Sequence, residues 1–107
     1  WRLTHDHTLG ANIEAATGEP APGVAHILTN AIGATNDDPR VEALHVPIFP
    51  ADRFLLCSDG LTDYVDDDTI RADLETASNA DEAADRLLAR ALQTEAGDNI
   101  TLVVAFV

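Results

Sequence analysis

The sequence contains no methionine and no lysine, one cysteine, one tryptophan and one tyrosine. Each scarcity excludes something. The lone Cys57 cannot form a disulfide within the chain, which points to a reducing compartment, the cytoplasm. Set inside an apolar run with no base nearby, it reads as a buried core thiol and not as a nucleophile. Without lysine, six arginines face nineteen acidic residues and the net charge is −13. Such a surface repels nucleic-acid phosphates and anionic membranes. No apolar run is long enough to span a bilayer, and no targeting segment opens the chain. The missing methionine, and an opening Trp1-Arg2-Leu3-Thr4 that reads as the tail of a strand, suggest a piece of a longer protein.

The chain has 107 residues, 46% of them hydrophobic. That bounds it to one domain at most, with a modest core. Residues 6–16 carry Leu9, Ile13 and Ala16 at helical spacing. Thr17 to Gly23 is a Pro/Gly loop. His26 to Gly33 is apolar enough for a strand or a short buried segment, and 34–40 is a turn. Val41 to Phe49 alternates as a half-buried strand with Pro47 at an edge, Pro50 to Arg53 turns, and Phe54 to Ser58 returns, which predicts a hairpin.

Beyond Gly60 the period changes. Asp66-Asp67-Asp68 suits a helix start, and Ser78 or Asn79 caps a second helix. There Ala80, Ala83, Ala84, Leu87, Leu88 and Ala91 make an apolar stripe, with Arg86 and Arg90 near its end. Gly97 is expected to stop this helix. The final run, Ile100 to Val107, reads as a strand buried on both faces.

Two aspartates stand where strands meet loops. Asp59 closes the first apolar strand, and Asp98 opens the last. If these strands lie antiparallel, both carboxylates share one rim of the sheet, an arrangement suited to a hard divalent cation. An ordinary structural reading exists for each: a strand ending in Asp-Gly is common, and Gly97-Asp98-Asn99 is also a helix stop followed by a turn. His5, Asp6 and His7 read first as exposed turn residues and only second as a small metal site. His26 and His45 read as structural or solvent-facing. Asp66 to Asp68 lacks calcium-loop spacing.

The string from Arg53 through Ser58-Asp59-Gly60 to Asp63, followed after two helices by Gly97-Asp98-Asn99-Ile100-Thr101, closely resembles the C-terminal half of the metal-dependent protein phosphatases of the PP2C type. Asp6-His7-Thr8 and Leu28-Thr29-Asn30-Ala31-Ile32-Gly33 fall where that family has an Asp-His-Ser-like turn and a Leu-Thr-Arg-Ala-Leu-Gly-like segment. The resemblance implies an α+β fold, a sandwich of antiparallel sheets flanked by helices, of which residues 1–107 are the C-terminal portion. It implies Asp59 and Asp98 as metal ligands, Asp63 as a ligand of a weaker extra ion, and Leu9 to Ile27 as the variable flap. It implies Mn2+ or Mg2+, two or more ions in the complete domain.

The implied activity is hydrolysis of phosphoserine and phosphothreonine in proteins, opposing a serine/threonine kinase. The bridging-metal motif, the general-acid His and the phosphate-binding Arg would precede Trp1, so the chain alone is expected to be nearly inactive. Asn30 stands where many members have Arg, and Ala51 where Gly is usual. Two alternatives accompany this reading. One is a non-catalytic pseudophosphatase that binds a phosphoprotein. The other is a related phosphatase that resets a bacterial signalling switch.

Overall fold

A computed structural model describes residues 1–33, 38–94 and 97–107. Two compact units divide the chain, residues 1–45 and 46–107.

In the first unit, Thr8 caps the helix α1 (Leu9–Thr17) by accepting from the Ala11 amide at 3.1 Å. This leaves Asp6 and His7 outside the expected helix, because the hydroxyl at Thr8 supplies the acceptor that the first free N–H groups need. Of the expected Thr17 to Gly23 loop, Thr17 closes α1, Gly18 caps it, and a short 3-10 turn follows at Pro22–Val24.

Two strand expectations fail in this unit. Trp1 to Thr4 forms no strand, and Trp1 is fully exposed. His26 to Gly33 contributes only an isolated antiparallel bridge, Thr8 to Leu28, and the Ile32 side chain is 91% exposed. An apolar run becomes a strand only with a hydrogen-bonded neighbour, and this one finds a single bridge. Of the expected 34–40 turn, residues 34–37 lie outside the described residues, and 38–40 are irregular.

In the second unit, β1 (Arg53–Cys57) pairs antiparallel with β2 (Leu102–Phe106), Arg53 opposite Phe106 and Cys57 opposite Leu102. The expected hairpin is therefore replaced: the partner of β1 is the last strand, and 41–49 is not a strand. Pro47 offers no N–H to a ladder, and the sheet among the described residues holds β1 and β2 alone. The turn before β1 does form. The Asp52 amide donates to the Phe49 carbonyl at 3.1 Å, and the Asp52 carboxylate accepts from the Phe49 amide at 2.8 Å. Ala51 has φ 75° there, the left-handed geometry a type II turn asks of its third residue and one that strains any residue with a Cβ.

Between the strands run α2 (Asp59–Thr62), α3 (Asp67–Thr76) and α4 (Ala80–Gln93). Asp66 caps α3 through the Thr69 amide at 2.9 Å, and Asn79 caps α4 through the Glu82 amide at 2.9 Å. Of the expected stripe, Ala83, Leu87 and Ala91 are buried, whereas Leu88 lies at the exposed margin. The helix ends at Gln93, before Gly97.

The core joins Leu61, Val65, Ile70, Leu87 and Ala91, with Leu55, Leu74, Ile100, Leu102 and Val104 packed against it. Full burial of Leu61 and Leu87 contributes roughly 1.5–3 kcal/mol each. Only one face of the sheet meets this core. Leu102 and Val104 point into it, while Val103 is 59% exposed, so β2 is buried on one face and not on two. Cys57 is exposed, not a core thiol.

Two arginines lock the helices. Arg53 stacks over the Phe106 ring, 4.3 Å from its centroid, and donates to the carbonyls of Leu74 and of Ala77 (3.1 Å) at the end of α3. There a cation also complements the helix dipole. Arg90 forms a two-pronged pair with Asp73, which is only 4% exposed. No helix among the described residues is long and apolar enough to cross a membrane.

Candidate metal centre

The rim where β1 ends and β2 begins carries the candidate site. β1 runs out at Cys57, and Ser58 takes the extended conformation of a helix cap. Asp59 is therefore the first residue of α2. The Asp63 amide donates to the Asp59 carbonyl at 2.9 Å, so these two aspartates stand one helical turn apart on one side of α2. All three candidate carboxylates, Asp59, Asp63 and Asp98, are exposed.

Backbone ties bring the Asp98 segment to α2. The Ser58 amide donates to the Thr101 carbonyl at 2.9 Å. Gly60 is buried against Asn99, where a Cβ would fall 2.5 Å from the Asn99 carbonyl oxygen. On the other flank the Gly97 amide reaches the Tyr64 hydroxyl at 3.4 Å. Asp98 itself accepts from the Asn99 amide at Oδ1, 2.7 Å, which orients the carboxyl. Asp59 thus opens α2, and Asp98 lies in the loop ahead of β2, on the segment whose backbone is tied to that helix start.

This rim has the chemistry of a partial cation site. It offers carboxylate oxygens, and Gly60, lacking a Cβ, lets the Asn99 backbone close against the start of α2. Among the described residues, no three His, Cys, Asp or Glu side chains converge closely enough to hold a metal ion by themselves.

The matching family model is that of the stage II sporulation protein E, aligned over residues 13–107. The chain belongs to the SpoIIE/PP2C-like phosphatase family. Among its PP2C-type relatives, the serine/threonine phosphatase stp of Listeria monocytogenes is 32% identical over 96% of this chain and 42% of its own length. The serine/threonine protein phosphatase PstP of Mycobacterium tuberculosis is 52% identical over 54 residues, half of this chain and 10% of that protein. A solved structure described as PppA, a key regulatory component of T6SS in Pseudomonas aeruginosa, superposes with a TM-score of 0.78 at 34% identity. It covers 98% of this chain and 44% of that one. The chain therefore spans less than half the length of each of these three proteins, and the α+β fold is present in part.

Outside the rim, the histidines sort themselves. Asp6 pairs with Arg2 at 3.5 Å and not with its histidine neighbours. Glu42 is the carboxylate between them, 3.7 Å from His5 Nδ1 and 3.9 Å from His7 Nε2. Asn30 clasps the Arg40 backbone with both amide atoms at 2.8 Å, and its Nδ2 lies 2.6 Å from His7 Nδ1. His26 and His45 are exposed.

Sequence reasoning passed over the Asp73–Arg90 pair, treating Arg90 as a charge complementing a helix end. The signal was present: Asp73 sits at i+3 from Ile70, inside an apolar stripe, and a buried carboxylate demands a partner. The pairing raises the Arg90 pKa, first through the hydrogen bonds its guanidinium donates to Asp73 and then through the charge of that carboxylate. Thr69, by its amide and then its hydroxyl, holds the Asp66 carboxyl below its usual range. The Ser78 amide does the same for Glu82, with a smaller contribution from Arg86.

Proposed function

We propose that residues 1–107 are the C-terminal portion of a PP2C-type phosphatase domain. Its complete protein hydrolyses phosphoserine and phosphothreonine in phosphoproteins with Mn2+ or Mg2+, opposing a serine/threonine kinase in the cytoplasm. Asp59 and Asp98 are the metal ligands that this chain contributes, and Asp63 holds a weaker additional ion.

One observation carries the proposal: the Ser58-Asp59-Gly60 turn is seated directly against the Asn99 backbone, so both aspartates occupy one rim. When bound, divalent cations supply Lewis-acid activation of water for in-line attack on phosphorus, with no covalent phosphoenzyme required. The residues of this chain do the holding. Asp has a short side chain, so the rigid ends of β1 and α2 fix its oxygens closely. The Asn99 amide bonds Asp98 at Oδ1 and so restrains the carboxyl that would hold a cation. The carboxylates also offset the positive charge they gather, and the gathered charge admits a phosphate to a chain of net charge −13.

The test is turnover of a phosphopeptide with Mn2+ by the complete protein and its Asp59→Asn and Asp98→Asn variants. Each substitution is expected to abolish most activity, and near-normal rates reject the assignment. The 107-residue chain by itself is expected to show negligible turnover.

A further inference from the structure

Ser58 stands at the N-terminal cap of α2, but its side chain makes no capping bond to that helix. A serine at this position ordinarily accepts from the amide two or three residues ahead. Here the hydroxyl is spent elsewhere. It accepts from the Thr101 amide at 3.1 Å and donates to the Asn99 carbonyl at 3.3 Å. With the Ser58 amide bonded to the Thr101 carbonyl at 2.9 Å, three bonds fasten the residue before Asp59 to the residues just after Asp98. β1 and β2 already pair as far as Cys57 and Leu102, so the hydroxyl extends the connection past the end of the ladder to the backbone next to Asp98.

We propose that Ser58 is a positioning residue: its hydroxyl fixes the separation of Asp59 and Asp98 and so sets how tightly the rim holds a divalent cation. The inference rests on the assignment of those aspartates as metal ligands. Ser58 itself touches neither metal nor substrate. A serine that merely supported the fold would change stability and leave the metal requirement unmoved.

The experiment measures Mn2+ binding to the complete protein by electron paramagnetic resonance of the free ion, with no substrate present. It compares Ser58→Ala, Ser58→Thr and Asp59→Asn. Hydrogen exchange at the Thr101 amide is followed in the metal-free protein. Ser58→Ala is expected to weaken Mn2+ binding about tenfold, the low end for losing a group that orients a metal ligand. It is also expected to speed Thr101 exchange and to keep kcat at saturating Mn2+ within about twofold, a change in ground-state binding alone. Ser58→Thr, which keeps a hydroxyl, restores binding. If the alanine variant does not fold, Ser58→Gly removes the hydroxyl while remaining an acceptable cap. Unchanged Mn2+ affinity in the hydroxyl-free variant, beside lost binding in Asp59→Asn, overturns this inference and leaves the metal assignment standing. Unchanged binding in Asp59→Asn overturns the metal assignment itself.

Discussion

Gly60 lies so close to Asn99 that a single added carbon would sit 2.5 Å from the Asn99 carbonyl oxygen and 3.2 Å from its carbonyl carbon. Backbone meets backbone there, and no flexible side chain can give way. Gly60→Ala must push α2 away from the Asn99 turn, and with it Asp59 away from Asp98. The expected cost is about 1–3 kcal/mol of stability, the range for overpacking a filled site, together with weakened Mn2+ binding. Denaturant unfolding and a Mn2+ titration of the variant check both. A variant normal in both would show that the close approach is dispensable.

The Asp73–Arg90 pair makes a different prediction, because one partner is buried and the other half-exposed. Arg90→Met strands a carboxylate in the interior between α3 and α4, so Tm should fall. Replacing both partners, Asp73→Leu with Arg90→Met, removes the stranded charge and should recover much of the loss. Thermal unfolding of the two variants decides. A double variant worse than the single one would mean that the pair stabilises in its own right.

Acid should loosen the start of α3. The Asp66 carboxyl is held below its ordinary value of 3.8 by hydrogen bonds from Thr69. Its folded pKa is lower than its unfolded one, so the unfolded state binds more protons as pH falls. The stabilisation is fully present above the unfolded value and is lost as pH descends through the folded value. Asp66→Asn keeps a good cap but cannot titrate, so its Tm should change less than the parent's between pH 5 and the acid limit, on the order of the pH range over which Asp titrates. Parallel pH profiles would contradict this.

His7 should hold one tautomer. Asn30 bonds the Arg40 backbone through both amide atoms, its Oδ1 accepting from the Arg40 amide and its Nδ2 donating to the carbonyl, each at 2.8 Å. That fixes Nδ2 as the atom facing His7 Nδ1 at 2.6 Å. Nδ1 must then accept, and the proton sits on Nε2, toward Glu42. Nitrogen chemical shifts of the neutral imidazole read this directly. Asn30→Asp should reverse the preference, and an Nδ1–H tautomer in the parent protein would refute the clasp.

The segments that carry the candidate site were legible because their elements are local. Ser58-Asp59-Gly60 and Asp98-Asn99 end and begin apolar runs, and antiparallel pairing of those runs follows once they are neighbours. The caps Asp66 and Asn79 and the buried series Ala83, Leu87, Ala91 are likewise short-range patterns. What the pattern could not supply was partnership. The alternation in Val41 to Phe49 specifies a face but not a neighbour, and β1 took the last strand instead. The same gap hid the open face of β2, the exposure of Cys57, and the reach of Arg53 to the end of α3, because each depends on which residues lie opposite. Departures from local rule were the better guide: Asp73 inside an apolar stripe and Ser58 failing to cap its own helix both mark contacts made across the fold.

The central claim is that Asp59 and Asp98 grip one divalent cation. Crystals of the complete protein soaked in Mn2+ and measured for anomalous scattering test it most directly. A peak between the two carboxyl groups, lost in Asp98→Asn, is the expected result. Mn2+ bound elsewhere, with both side chains turned to solvent, would contradict it.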